Sequence, residues 1–239
     1  MSYRLSLQGV SLAEYTLGVG DVEDLGGTQV VLVQGHAKTI GFASFVAKID
    51  DTFSTWIDVK NGRTVRYRTD EYEVNSKTNI EHTIIDLRER KDDLVPVSFH
   101  LNDRPPQPEP QKVSLPELWD VNSFLIALRS WEGAPGTTTS VEAFRSRYIW
   151  HLDVRIGKRE KIVTELEVGE MTALRFDART YKLTRAGGKD TTSDERNFSI
   201  WISDDDGRVP LQIVARTDYG DMKMQITDYQ PGNGQRLRP

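Results

Sequence analysis

The sequence predicts a mostly β protein, made of curved antiparallel sheets or an open β-barrel, with one central amphipathic helix at about residues 115–131 and a possible short helix near 40–49. Three observations carry this. First, RYIWHLDVRIG (147–157) alternates cleanly, with Tyr148, Trp150, Leu152, Val154 and Ile156 on one side and Arg147, His151, Asp153 and Arg155 on the other. A side-chain period of two marks a strand with one covered face. Second, turn dipeptides separate such runs, Asn61-Gly62 being the strongest hairpin signal. Third, 37% hydrophobic and 28% charged residues suit half-exposed antiparallel strands, because buried parallel strands read as unbroken apolar runs.

Residues 1–101 read as a strand-rich half. FSTWIDV sends Phe53, Thr55, Ile57 and Val59 to one face, and TVRYR sends Val65 and Tyr67. In TIGFASFVAKID, Phe42, Phe45, Val46 and Ile49 fall at i, i+3, i+4 and i+7, so a short amphipathic helix and a strand both fit. RERKDD is a solvated charge cluster, and six of the ten prolines lie between Pro96 and Pro116. Residues 102–113 therefore predict an extended, polyproline-like connector. It either separates two domains or joins two halves of one sheet system; the expectation adopted is a single β domain over 1–239, with helix plus strands at 114–239.

The helix is predicted from Ser114-Leu-Pro-Glu117, which has capping-box spacing, followed by an apolar stripe of Leu118, Val121, Leu125 and Leu128. Phe124 and Trp131 widen the stripe, and Gly133 with Pro135 stops it. After the alternating 147–157 run, Gly157-Lys158 reads as a turn into REKIVTELEV. Three last strands follow: FSIWIS, with either Phe198, Ile200 and Ile202 or the Trp201 face buried, then VPLQIVART and DMKMQITDY, joined at Tyr219-Gly220.

Few chemistries survive inspection. With no cysteine, disulfides, thiolate zinc sites and cysteine nucleophiles are excluded. A net charge of -5 without a basic, aromatic-interleaved stripe argues against nucleic acid. No run approaches the roughly 18 apolar residues of a membrane helix, and MSYRLSLQGVSL holds no signal-peptide core. Asp204, Asp205, Asp206 and Gly207 fail as a calcium loop. With Gly207 at the sixth position, the first and twelfth fall on Ile202 and Ile213, which offer no oxygen side chain. They read as a hairpin turn in which aspartate bonds local backbone and glycine supplies positive φ. His36, His82, His100 and His151 are scattered, so neither metal nor cofactor is expected. The aromatic residues supply the remaining candidates. Trp119, Trp131, Trp150 and Trp201, with Arg129, are the candidate ligand-binding set; core packing with a satisfied indole N–H is the alternative for each tryptophan.

The order of three segments carries a resemblance: LQGVSLAEYTLGV near the start, LWDVNSFLIALRSWEGAPG at the centre, and IWISDDDGRVPLQIVARTDYGDMKMQITDY at the end. Along nearly all its length the chain resembles the exported bacterial proteins known as domain of unknown function 3108. Asp120, Ser123, Leu128 and Arg129 match the family's helix, and Trp201, Asp204 to Asp206, Pro210 and Gly220 match its C-terminal signature. The resemblance implies a mostly antiparallel β fold and a periplasmic or outer-membrane-associated location after signal cleavage; it implies no activity. With no catalytic constellation in view, the expectation is a non-enzymatic envelope protein. It would bind an apolar or amphipathic ligand, a lipid or lipid-linked glycan, where the helix covers an apolar opening, or act as a scaffold for an envelope protein partner. An enzyme acting on envelope polysaccharide and a purely structural interaction module are the rivals.

Overall fold

In the computed structural model, residues 1–74, 78–166 and 169–232 are described. The chain forms β1 (Ser2–Leu7), β2 (Val10–Asp24), β3 (Gln29–Thr39), the helical turn α1 (Ala43–Val46), β4 (Lys48–Asp58), β5 (Thr64–Val74) and β6 (Thr78–Asp86). The short strands β7 (Leu94–Val95), β8 (Ser98–Leu101), β9 (Gln107–Pro108), β10 (Gln111–Lys112) and β11 (Leu118–Asp120) follow, then helix α2 (Val121–Leu128). The last six strands are β12 (Thr138–Arg145), β13 (Tyr148–Val163), β14 (Glu170–Lys182), β15 (Arg196–Ser203), β16 (Pro210–Thr217) and β17 (Gly220–Asp228).

Among the described residues, fifteen strands make one sheet in the order β11-β12-β13-β14-β15-β16-β17-β1-β2-β3-β4-β5-β6-β8-β9, while β7 and β10 pair separately. Neighbours are antiparallel except β11 and β12. The two halves join where β1 pairs with β17, Tyr3 opposite Ile226. The sheet rolls back on itself: Tyr67 of β5 stacks on Phe144 of β12 at 6.1 Å. It does not close. Its edge strands, β11 and β9, hold three and two residues, and short edges limit pairing with other chains. The proline-rich stretch thus supplies short strands as well as connection, with Pro108 at the edge where a missing N–H is tolerated.

Among the described residues, apolar side chains gather in three clusters. Leu125, Leu128 and Phe124 of α2 pack on Val154, Phe176, Ile200 and Ile202. A second cluster joins Tyr3, Leu17, Val33, Ile57, Trp201 and Ile226. A third holds Tyr67, Ile85, Leu118, Phe144 and Ile149. In β15, Ile200 and Ile202 enter the first cluster and Trp201 the second, so both faces of that strand are covered. Burying Leu128, Phe124 and Leu125 to within a few per cent means that the helix fills space between the strands rather than lidding an opening.

Several local expectations are corrected. The helix spans Val121–Leu128, not 115–131, and its cap is Asp120, not Ser114. Residues 118–120 are drawn into parallel pairing with Glu142–Phe144, and Ser114 instead binds the buried Glu142, its amide at 3.0 Å and its hydroxyl at 2.5 Å. Gly157-Lys158 is no turn: β13 runs on to Val163 through a bulge between Ile156 and Arg159. Glycine suits that bulge because a Cβ there would lie 3.0 Å from the Arg175 carbonyl oxygen. The aspartate segment is a turn, with Asp205 Oδ1 accepting from the amides of Gly207 at 2.8 Å and Arg208 at 3.1 Å. The left-handed residue, however, is Arg208 at φ 47, not Gly207. At 40–49 a helical turn forms, but Phe42, Phe45 and Val46 face solvent. Four residues give too short a face to bury.

Candidate functional site

The site grows from the seam where the rolled sheet meets itself. β11 places Asp120 at the start of α2, where its carboxylate accepts from the amides of Asn122 at 2.9 Å and Ser123 at 3.3 Å. These are two of the donors that a helix start leaves unpaired. Ser123 completes a capping box by accepting from the Asp120 amide at 2.9 Å. Across the seam, Thr55 of β4 donates to Asp120 Oδ1 at 2.6 Å and Thr64, at the start of β5, to Oδ2 at 2.7 Å. Asn122 extends the network, donating to Thr55 Oγ1 at 3.2 Å and to the Phe53 carbonyl at 3.2 Å while accepting from the Tyr15 hydroxyl at 2.9 Å. Asp120, Asn122 and Ser123 are fully buried. Burial drives Asp120 above the usual carboxylate range, against the pull of the Thr55, Thr64 and Ser123 hydroxyls. Side-chain hydrogen bonds therefore bridge the region where ladder pairing stops.

Beside this seam lies a groove of about 560 Å³. It runs between residues 115–119, the connection after α2, and β12–β13. Its floor is the buried Trp119, Val141, Val154 and Ile156, and its rim includes Glu117, Glu132 and Thr137 to Ser140. The wall carrying Trp131 is fixed by α2, since the indole meets Phe124 edge-on at 6.0 Å with planes at 86°. The loop after Trp131 hangs on β13 through the Gly136 amide, which donates to the Ile156 carbonyl at 2.7 Å. Glu142 holds the opposite wall by accepting from the Ser114 and Leu115 amides. Glu117, at the rim, is ion-paired with Arg63. The Trp119 indole N–H is buried and has no acceptor among the described residues.

Of the candidate ligand-binding residues, only Trp119 and Trp131 share this groove. Arg129 caps α2 and donates to the Gly207 carbonyl at 2.7 Å, tying the helix to the aspartate turn. From that turn Arg208 reaches back to the carbonyls of Arg129 at 3.1 Å and Trp131 at 2.9 Å. Trp150 packs against the first apolar cluster. Trp201 donates to Glu160 Oε2 at 2.9 Å, and the Arg175 guanidinium lies 5.2 Å from its ring centre. Sequence reasoning missed the threonines at the rim, the Ile156 floor, and the buried acceptors Glu142 and Asn122. No local spacing marks the threonines, Glu142 or Asn122; alternation along 147–157 put Ile156 on a covered face without marking it as part of a site.

Comparison with solved structures gives the class first: a β-barrel-like protein. The chain is similar to a β-barrel-like protein of domain of unknown function DUF1849 from Brucella abortus, at TM-score 0.59 and 8% identity over 94% of this chain and 93% of that one. A structure of a candidate lipoprotein from Parabacteroides distasonis aligns at TM-score 0.34 and 8% identity over 95% and 92% of the two chains. None of the curated proteins compared with the chain matches it. Residues 2–227 match the family described as protein of unknown function (DUF3108), and the chain belongs to that family.

Proposed function

We propose that the protein is a non-catalytic bacterial envelope protein, periplasmic or outer-membrane-associated, that holds an apolar or amphipathic ligand in the Trp119–Trp131 groove. The observation that carries this reading is the groove's composition: an apolar floor, two indoles and a hydroxyl-lined rim in about 560 Å³. That volume lies within the roughly 300–1,000 Å³ of small-molecule sites. Val154, Ile156 and the indoles suit an acyl chain, and the indole faces also suit a sugar ring; Thr137 to Ser140 offer hydroxyls to a headgroup or glycan. A lipid or lipid-linked glycan matches both parts. Native mass spectrometry after gentle purification from the envelope of an expressing bacterium tests it. A co-purifying lipid or glycolipid whose occupancy falls roughly tenfold in Trp131→Ala supports the reading, that being the order expected from losing an aromatic contact. Ligand-free protein, or occupancy indifferent to Trp131, overturns it.

A second reading is favoured by one observation: Glu117 and Glu132 line the same groove as the two tryptophans. Two acids beside an aromatic platform are the usual equipment for hydrolysing glycans. Glu117 is engaged by Arg63 and half exposed, and Glu132 stands at the open rim, so neither occupies the dry setting of a tuned general acid. Turnover of an envelope polysaccharide that disappears in Glu132→Gln would replace the binding reading with this one.

A further inference from the structure

The β3–β4 connection presents an apolar surface that the groove does not use. Phe42, Phe45 and Val46 are 78%, 86% and 70% exposed, and the two rings lean together at 6.3 Å. Solvent exposure this complete at three positions of one turn is unusual for phenylalanine and valine. The turn is nonetheless built: the Ser44 hydroxyl donates to the Gly41 carbonyl at 2.7 Å, and the Ala47 amide to the Ala43 carbonyl at 3.0 Å. The sheet topology adds two neighbours at the same end. β3 ends beside the start of β2, where the Ile40 amide donates to the Leu12 carbonyl at 3.0 Å. The β1–β2 turn meets the β16–β17 turn, with the Gln8 side chain donating to the Tyr219 carbonyl at 2.7 Å. These turns expose Val10 at 58% and Tyr219 at 77%, around a shallow hollow that also includes Leu7 and Leu12.

Charge decides what this end meets. Lys38 and Lys48 flank the tip, and no acidic residue lies between Lys38 and Asp50. Three of the nearby acids face cations or an imidazole, Asp50 contacting His36 at 2.6 Å, Asp218 facing Arg196 at 3.9 Å and Asp221 facing Arg216 at 3.8 Å. Glu14 and Asp50 stand opposite Lys38 in the strand register, which leaves Lys48 as the less balanced of the two lysines. We propose that the Phe42–Val46 turn is an interfacial anchor that inserts its phenylalanines and valine into the headgroup region of an anionic lipid bilayer, with Lys38 and Lys48 against the lipid phosphates. A projecting apolar tip enters a fluid interface without needing a matched pocket, and basic residues beside it add attraction to anionic lipid. The overall charge of -5 opposes a random approach, so docking is oriented by this end and weakens with salt. The anchor does not rest on the groove's being a ligand site.

Vesicle flotation tests the anchor, using phosphatidylglycerol in phosphatidylethanolamine against phosphatidylcholine alone. The full chain floats with the anionic vesicles and much less with the zwitterionic ones. Phe45→Ser lowers partitioning roughly tenfold, and Lys48→Gln about fivefold. Both side chains are exposed, so the variants keep the wild-type urea midpoint. Because the chain has no cysteine, Phe45→Cys carries a single environment-sensitive fluorophore, whose emission shifts to the blue on the anionic vesicles. Trp131→Ala floats like the wild type, which separates failure of the groove reading from failure of the anchor. Absence of flotation, flotation unchanged by Phe45→Ser, or an aqueous emission at position 45 overturns the proposal. So does a dimer that sediments in place of flotation and is lost in Phe45→Ser, which would assign the tip to a second copy of the chain.

Discussion

Replacing Asp120 by alanine removes one carboxylate on which two backbone amides and three hydroxyls converge. The losses differ in kind. Ser123 retains its own turn's carbonyl at 3.2 Å, and Thr64 retains Ser123 Oγ at 2.8 Å. Thr55 keeps only the amide that Asn122 donates to it, so its hydroxyl proton is left without an acceptor. Losing the helix cap costs about 1 kcal/mol, and orphaning the buried Thr55 hydroxyl and a helix amide adds about 1–2 kcal/mol each. Asp120→Ala is thus expected to lose about 3–5 kcal/mol, measured as a urea-denaturation midpoint followed by tryptophan fluorescence.

Asp120→Asn behaves differently. The amide oxygen can serve the cap and Thr55, and the new NH₂ can donate to Thr64 and Ser123 once their hydroxyls rotate. Burial raises Asp120 above its ordinary 3.8, so above that pH the folded state holds the proton more firmly than the unfolded one. Stability associated with this group is complete below about pH 4 and declines as pH rises through the folded value. The slope approaches about 1.4 kcal/mol per pH unit for one full proton. Asp120→Asn is expected to flatten that decline and to lie closest to wild type at acid pH. An alanine cost below about 1 kcal/mol, or wild-type and asparagine curves that stay parallel from pH 4 to 8, would refute the seam argument.

Other outcomes follow from single contacts. Asp51 is pushed up to about 6 chiefly by burial, with Glu71 adding to the rise and the Tyr72 amide opposing it. Stability is therefore expected to fall between about pH 4 and 6, and Asp51→Asn, which can still accept from Tyr72, should remove that component of the urea-midpoint profile. A Cβ on Gly35 would collide with the Tyr15 hydroxyl, which donates to Asn122. Gly35→Ala should cost about 2–3 kcal/mol and lower the thermal midpoint accordingly. Asp205→Ala removes the acceptor for Ser203 Oγ and two turn amides and should cost about 1–2 kcal/mol. Millimolar calcium should leave the wild-type melting temperature unchanged, since this carboxylate is engaged within its own turn.

Strand alternation was legible because it is local: residues 152, 154 and 156 lie on one face whatever covers it, and Asn61-Gly62 turns β4 into β5 by its own backbone preference. The absence of cysteine and the order of family motifs are likewise properties of the string. The sequence by itself determined the β character, the hairpin at Asp204 to Asp206, and the presence of a central helix, read there at about 115–131. It did not determine where that helix began, because Ser114-Leu-Pro-Glu117 carries the local capping-box pattern while the helix is capped by Asp120 with Ser123. Only the tertiary structure chose Asp120, by bringing Thr55 and Thr64 from 56 and more residues away in sequence and giving Ser114 to Glu142 instead. The same long-range folding sorted the tryptophans, joining Trp119 to Trp131 and sending Trp150 and Trp201 elsewhere. Which side chains share a site depends on how the sheet curls, and that curl is a sum over many distant contacts that no short window contains.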